Sequence, residues 1–172
     1  DFYSAFANSC NCAFASIGVD LGGASLRRTA EDLLFNKSLP LNAYRTSSFS
    51  LDKKSVTPLI MQTAIGQGNT LVSPMHMALI TCAIANDGVL MKPYLIDEVV
   101  NDSNDTVKKT EPVPYKRLMS SNEANLLGKL MKQVVDSGTA SSLSGRSYTV
   151  AGKTGSAEFD EEGHSHSWFI GY

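Results

Sequence analysis

Four consecutive residues, Lys153-Thr154-Gly155-Ser156, combine a cation, two hydroxyl groups and a glycine. The apolar, β-prone residues before them predict a strand, on which alternate side chains point to the same side. Lys153 therefore shares a face with Gly155, and Thr154 shares the other with Ser156, unless the strand twists or bulges at the glycine. Because Gly155 leaves room for a ligand to approach the backbone, this strand could bind an anionic substrate.

A serine and an asparagine two residues apart interrupt an Ala- and Phe-rich helical pattern at Ser9-Cys10-Asn11. Both side chains can hydrogen-bond to nearby backbone groups, which favours a turn. The sequence therefore predicts that Ser9 and Asn11 are presented at a break between two helices. Simpler interpretations also exist: Ser9 and Asn11 could only cap a helix, and Lys153 could be a solvated lysine on an edge strand.

A Ser-x-Asn followed far downstream by Lys-Thr-Gly is a pattern of penicillin-binding proteins and related β-lactamases. Other segments agree with it: residues 64–78, the run Ala85-Asn86-Asp87-Gly88 with Pro93, and the strand-like run Trp168-Phe169-Ile170-Gly171-Tyr172. Their order and spacing extend through essentially the whole chain. The sequence therefore resembles a penicillin-binding protein transpeptidase domain, and in detail it is most similar to the monofunctional class B group.

The resemblance implies an α/β (α+β) fold of the penicillin-binding protein and serine β-lactamase type, with helices packed on a mainly antiparallel sheet. It implies serine acyl transfer on peptidoglycan stem peptides: D-Ala-D-Ala is acylated with loss of the terminal D-Ala and then passed to an amine of a neighbouring stem. Penicillins and other β-lactams would acylate the same serine. The resemblance also implies that the reaction would need no metal or other cofactor.

The resemblance also implies a role for each motif residue. Ser9 and Lys153 would form the proton relay to the leaving group, and Asn11 would orient a further motif lysine and the substrate amide. Thr154 and Ser156 would bind the substrate carboxylate, with Lys153 adding charge and Gly155 allowing close approach. The backbone N–H of Ser156 would be one oxyanion donor.

The family's third motif, Ser-x-x-Lys, supplies the acylated serine and should precede Ser9. The one match in this sequence, Ser50-Leu51-Asp52-Lys53, lies downstream of Ser9 and breaks the family order. We therefore expect residues 1–172 to be a partial transpeptidase domain, truncated at both ends and inactive alone. An open strand edge at Trp168 would then favour self-association of this fragment.

Three alternatives share part of this signature. A class D-like β-lactamase has a similar Trp-Phe strand, but its Tyr-Gly-Asn motif is not found in this sequence. A D,D-carboxypeptidase differs in the acceptor alone, which these residues do not settle. A penicillin-sensing receptor domain would bind without turnover.

The composition is typical of an ordinary globular core, with 172 residues, 42% hydrophobic residues and a net charge of -2. There is no basic excess to indicate nucleic acid and no apolar run long enough to span a bilayer. The fragment is expected to be soluble, whereas the resemblance places the parent protein at the outer face of the cytoplasmic membrane, with cell-wall synthesis partners. Three cysteines are an odd number, so they give no complete disulfide framework. His164 and His166 are best interpreted as part of a solvated hairpin turn, not as a metal site.

Local patterns predict the elements that position the motifs. Two short helices span Phe2 to Ile17, and a third runs from Ala24 to Leu34. After a long loop over residues 36–57, Ser73 caps a buried helix that begins at Pro74, runs through Ile84 and stops at Gly88. His76 on this helix is expected to be structural, and Trp168 and Phe169 are expected in the core. The remaining elements are short strands at Tyr94–Val100 and Thr106–Thr110, an amphipathic helix opened by the capping box Ser120-Ser121-Asn122-Glu123, a short helical turn at Thr139–Leu143 and the Lys-Thr-Gly strand.

Overall fold

The computed structural model describes residues 1–41, 46–160 and 162–172. The helices are α1 (Phe2–Ala7), α2 (Asn11–Leu21), α3 (Gly23–Asp32), α4 (Thr57–Ala64), α5 (Pro74–Ala85) and α6 (Ser121–Ser137), with a 3₁₀ turn at Ser141–Leu143. The strands are β1 (Val89–Met91), β2 (Glu98–Val100), β3 (Thr106–Lys109), β4 (Pro114–Arg117), β5 (Gly152–Glu158) and β6 (Ser165–Gly171).

The predicted break between the first two helices is confirmed. Asp1 caps α1 by accepting a hydrogen bond from the backbone N–H of Ser4 at 2.8 Å. The chain then turns through Ser9, whose φ of +53° lies in the left-handed region, and α2 begins at Asn11. Helix α2 continues through Gly18 to Leu21, beyond the predicted end at Ile17, and ends at Gly22, whose φ of +76° is a conformation that favours glycine.

Helix α4, which was not predicted from the sequence, packs closely on α2. A Cβ atom at Gly18 of α2 would collide with the Cβ of Ala64 in α4, so the two helices approach at a point where one side chain is absent. A proline in the first turn of α4, Pro58, is the start signal that could have revealed this helix. The preceding loop is confirmed in residues 36–41 and 46–56, apart from one isolated bridge between Ser48 and Leu71, and residues 42–45 lie outside the described part of the chain.

Helix α5 lies in the core, as predicted. Ser73 is its N-cap and accepts a hydrogen bond from the backbone N–H of His76 at 3.2 Å, with Pro74 as the first helical residue. The helix ends at Ala85, and Gly88 follows with a φ of +82°, a conformation that favours glycine. The main cluster of buried apolar residues comprises Leu34, Leu39, Leu79, Ile80, Ala83, Ile84, Leu90, Leu118, Met131 and Ala151.

Helix α6 connects this core to the strand that carries Lys153. Its capping box is confirmed: Ser120 accepts from the backbone N–H of Glu123 at 3.2 Å, and the Glu123 carboxylate accepts from the backbone N–H of Ser120 at 2.7 Å. The helix ends at Ser137 with Gly138 as its C-cap. It packs against α1, α5 and β5. The predicted amphipathic helix therefore covers the Lys-Thr-Gly strand.

The strands form three separate antiparallel ladders in the described residues: β1 with β4, β2 with β3, and β5 with β6. The mixed helical and antiparallel architecture is confirmed, but these strands do not join into one sheet here. The predicted strand over Tyr94–Val100 forms only at Glu98–Val100, and β1 and β4 were not predicted. No helix in the described residues is both long and apolar enough to cross a membrane.

The hairpin of β5 and β6 corrects one core prediction. In its register Thr154 faces Phe169 and Gly155 faces Trp168 across the ladder. Trp168 is half-buried, but Phe169 is 47% exposed. The prediction was wrong for Phe169 because, in the part of the chain that the structure describes, no element covers its side of β6 completely.

His76 is structural, as predicted. Its side chain is fully buried, and Nε2 donates a hydrogen bond to the backbone carbonyl of Leu33 at 2.7 Å. Burial lowers the pKa of His76 and outweighs the opposing effect of the bond to Leu33, so the imidazole is held neutral. This bond joins α5 to the end of α3.

We expect the free energy of unfolding to fall as the pH drops through the imidazole's ordinary range. The unfolded chain binds a proton near pH 6.5 that the folded His76 resists, so stability is present above this pH and is lost below it. The loss from one group reaches at most about 1.4 kcal/mol per pH unit. His76→Gln can keep the donor to Leu33 without titrating, and the rest of the sequence is the same in the two proteins. Denaturant unfolding at pH 7 and pH 5 measures the effect, and an equal decline in both proteins would contradict it.

Candidate active site

The two motifs that the sequence singled out meet in space. Lys153 Nζ donates a hydrogen bond to Ser9 Oγ at 2.9 Å, although the two residues are 144 positions apart. The same amine donates to the backbone carbonyl of Thr154 at 2.7 Å. The Lys-Thr-Gly strand and the Ser-x-Asn turn therefore form one cluster.

The turn between α1 and α2 directs Ser9 to this cluster. Backbone bonds from Ser9 N–H to Phe6 O at 3.2 Å and from Cys10 N–H to Ala5 O at 2.9 Å close the turn. Cys10 is the N-cap of α2, without a side-chain capping bond. The alternative that Ser9 serves as a helix cap is wrong in this structure, because its hydroxyl faces Lys153 instead.

The backbone of β5 is held by its close approach to β6. A Cβ atom at Gly152 would collide with the ring of Phe169, so this end of the hairpin requires glycine. Gly155 differs, because a Cβ there would meet only the Cβ of Trp168 at 3.5 Å, an ordinary contact. Strand packing therefore does not demand a glycine at position 155, and its exposed backbone is available to a ligand.

All six residues selected from the sequence line one cavity of about 380 Å³. They are Ser9, Asn11, Lys153, Thr154, Gly155 and Ser156. The rest of the lining is mostly apolar: Phe6, Phe14, Ala64, Ile65, Gly66, Val72, Met77, Ala157, Trp168 and Ile170. The cavity touches residues of both faces of β5, which strict strand alternation did not predict. Among the described strands, β5 pairs with β6 alone, so its other edge stays available to the cavity.

The site has one strong electrostatic feature. Burial lowers the pKa of Lys153, because a half-buried ammonium loses hydration. In the described residues the ion pairs lie elsewhere, between Arg27 and Glu31, between Lys132 and Asp136 and around His164. Lys153 can therefore attract a substrate anion and can also release a proton more readily than a solvated lysine.

Sequence reasoning missed one residue of this cluster. Thr139 Oγ1 lies 2.5 Å from Thr154 Oγ1, in the turn that follows α6. The sequence indicated only a short helical turn from Thr139, and no motif spacing connects this residue to Thr154. The break at Gly138 in the helical pattern indicated only that a turn follows α6, not that Thr139 contacts Thr154.

Other polar groups considered in the sequence lie apart from the cavity. Ser50, the serine of the out-of-order Ser-x-x-Lys match, is exposed and does not line it. His164 Nδ1 lies 2.6 Å from Asp160 Oδ2 at the tip of the β5–β6 hairpin. Among the described residues no three His, Cys, Asp or Glu side chains are grouped to bind a metal ion, and Glu161 lies outside these residues.

The family follows from a match that covers the whole chain. The sequence profile of the penicillin-binding protein transpeptidase domain matches residues 1–172. The chain belongs to this family. Its relatives include class B members, as the motif detail indicated.

Two relatives illustrate the match. The chain is 31% identical to Penicillin-binding protein 3 of Bacillus subtilis, over 100% of this chain and 26% of that protein. It is 28% identical to the peptidoglycan D,D-transpeptidase PbpA of Mycolicibacterium smegmatis, over 98% of this chain and 35% of that protein. The chain thus spans about a quarter to a third of the length of these relatives.

Solved structures confirm the fold. The D,D-transpeptidase domain of a peptidoglycan glycosyltransferase from Eggerthella lenta superposes with a TM-score of 0.84 at 30% identity, covering 98% of this chain and 44% of that one. Penicillin-binding protein A of Mycobacterium tuberculosis, as an imipenem acyl-enzyme complex, superposes with a TM-score of 0.86 at 25% identity, covering 100% of this chain and 39% of that one.

Proposed function

We propose that the protein is part of a peptidoglycan D,D-transpeptidase that cross-links stem peptides by serine acyl transfer and is acylated by β-lactams. The observation that carries this proposal is the bond between Lys153 Nζ and Ser9 Oγ in a cavity that also holds Asn11 and Ser156. The names of the relatives support the reaction, and β-lactam acyl-enzyme complexes of penicillin-binding protein A support the inhibitor class. A location at the outer face of the cytoplasmic membrane, with cell-wall synthesis partners, belongs to the same proposal.

Substrate binding depends on β5. The hydroxyls of Thr154 and Ser156 donate to the C-terminal carboxylate of the stem peptide, and the Lys153 ammonium adds attraction for the same anion. The exposed backbone at Gly155 allows the peptide to lie close to the strand. The backbone N–H of Ser156 is one donor for the oxyanion that forms when the carbonyl is attacked.

Proton transfer depends on Ser9 and Lys153. The hydroxyl of the nucleophilic serine attacks the carbonyl of the penultimate D-Ala and its proton passes to a base; the C–N bond then breaks as Ser9 Oγ gives its proton to the leaving nitrogen, which leaves the serine acylated. Lys153 then replaces the proton on Ser9 along their hydrogen bond. The lowered pKa of Lys153 favours this step, because a half-buried ammonium gives up its proton more readily. Asn11 orients the substrate amide and the lysine of the Ser-x-x-Lys motif, and an amine of a second stem peptide then accepts the acyl group.

Three other activities are compatible with part of this site. Turnover of a labelled penicillin by the full-length protein separates them. Rapid hydrolysis would favour a class D-like β-lactamase, whereas a persistent adduct fits a transpeptidase, a D,D-carboxypeptidase or a penicillin-sensing domain. Transfer of the peptide to an added amine, rather than to water, then distinguishes the transpeptidase from the other two.

Replacing Lys153 should strongly reduce acylation of the full-length protein. Lys153→Ala removes both the charge and the donor to Ser9, so we expect a rate lower by about 100-fold or more, the scale of losing one transition-state donor. Thr154→Ser keeps its hydroxyl and serves as the matched control, with a much smaller effect. Stopped-flow acylation by a fluorescent penicillin measures both variants, and an unchanged rate for Lys153→Ala would remove this residue from the mechanism.

Replacing Ser9 tests the relay separately. Ser9→Ala should slow both acylation and peptide transfer by ~10²–10⁴-fold, the range for general acid–base catalysis, while the melting temperature stays close to that of the parent. If Ser9 had only a structural role, the melting temperature would fall and the kinetics would stay normal. That second pattern would refute the relay.

The 172-residue chain should not form a covalent penicillin adduct by itself. Its one Ser-x-x-Lys match begins at Ser50, which does not line the cavity, so we place the acylated serine outside this chain.

We also expect the chain to self-associate, because β6 pairs only with β5 among the described strands and Phe169 and Tyr172 are each 47% exposed. Intact-mass spectrometry after penicillin incubation and light scattering on the same sample test both expectations. A stoichiometric mass increase would contradict the first, and a monomer at high concentration the second.

A further inference from the structure

The hydroxyl of Thr139 contacts the hydroxyl of Thr154, the first polar group of the proposed carboxylate site. Their oxygens are 2.5 Å apart, so one hydroxyl donates to the other. Thr139 does not line the cavity itself. Any effect of Thr139 on a ligand must therefore pass through Thr154.

The backbone holds Thr139 in place. Its N–H donates to the carbonyl of Ala7 at 3.1 Å, and the next residue, Ala140, is buried and donates to the carbonyl of Val134 at 3.1 Å. A Cβ at Gly138 would collide with the carbonyl of Ala7, so the chain passes α1 as closely as a glycine permits. Although its side chain is exposed, Thr139 is anchored on both sides by α1 and α6.

The contact matters because each threonine hydroxyl has a single proton. If Thr154 donates to Thr139, its proton is no longer available to an anion. If Thr139 donates to Thr154, the Thr154 proton is free to point into the cavity, and a donor behind a hydroxyl strengthens the bond that this hydroxyl makes in turn. A carboxylate in the cavity selects the second arrangement.

We propose that Thr139 is a positioning residue that orients the Thr154 hydroxyl as a donor to the substrate carboxylate. This inference rests on the proposed function, because it assumes that Thr154 binds that carboxylate. It adds to the site a residue from the end of α6. Recognition of the anion then depends on a chain of two hydroxyls, with only the second in contact with the ligand.

The test compares Thr139→Val and Thr139→Ser in the full-length protein. Valine keeps the branched shape and removes the hydroxyl, whereas serine keeps the hydroxyl. Acylation is measured with a penicillin and with the methyl ester of the same penicillin, which lacks the carboxylate charge. We expect Thr139→Val to slow acylation by the free acid by about 10-fold, the scale of one hydrogen bond to a charged group. Acylation by the ester should change by less than about 2-fold, and Thr139→Ser should react with the free acid at close to the parent rate.

A structural role would give a different result. Equal losses for acid and ester, together with a lower melting temperature, would overturn the proposal, and so would an unchanged rate with the free acid. If Thr139→Val does not fold, Thr139→Ala provides the same comparison without the branched side chain.

A parallel variant separates this inference from the proposed function. Thr154→Val should show the same selectivity for the free acid, with a larger loss. If Thr154→Val is selective and Thr139→Val is not, the carboxylate site stands and the role of Thr139 is wrong. If Thr154→Val shows no selectivity, the assignment of Thr154 as a carboxylate ligand fails, and the inference fails with it.

Discussion

The hydrogen bond from Lys153 to Ser9 joins parts of the chain that the sequence keeps far apart, and the candidate site depends on it. It fixes β5 against the turn between α1 and α2. The end of α6 meets both partners, because Thr139 contacts the Ala7 backbone and the Thr154 side chain. Beneath this junction, Val134, Val135 and Ala140 form a buried apolar cluster on which Phe6, Leu143 and Val150 pack. The polar contacts are therefore held by burial of apolar surface, which is the larger contribution to stability.

The same junction explains the chemistry of the lysine. A half-buried ammonium pays a desolvation cost, which the acceptors on Ser9 and Thr154 offset only in part. Because the desolvation cost is not fully offset, the pKa of Lys153 is lowered. In the proposed function, the substrate carboxylate supplies the missing countercharge, and Lys153 returns a proton to Ser9 after Ser9 has protonated the leaving nitrogen. One side chain can thus contribute to both binding and proton transfer because the fold leaves its charge incompletely compensated.

Local patterns predicted the elements whose signals lie within a few residues. The capping box at Ser120 and the cap and proline at Ser73 and Pro74 have side-chain and backbone signatures that tertiary packing does not override. The six site residues followed from family motifs, and the structure brings them together. The exposure of Phe169 and the contact of Thr139 with Thr154 were not predictable, because they depend on which elements cover β6 and on how closely α6 passes α1.

The lack of a side chain at Gly18 affects the cavity, although Gly18 itself does not line it. Helix α2 begins at Asn11 and α4 ends at Ala64, and both residues line the cavity. The contact of Gly18 with Ala64 therefore sets the spacing between two of its walls. A larger residue at position 18 would push α2 and α4 apart and so change the width of the cavity, while every motif residue stays unchanged. The width of the cavity therefore depends on a position that does not line it.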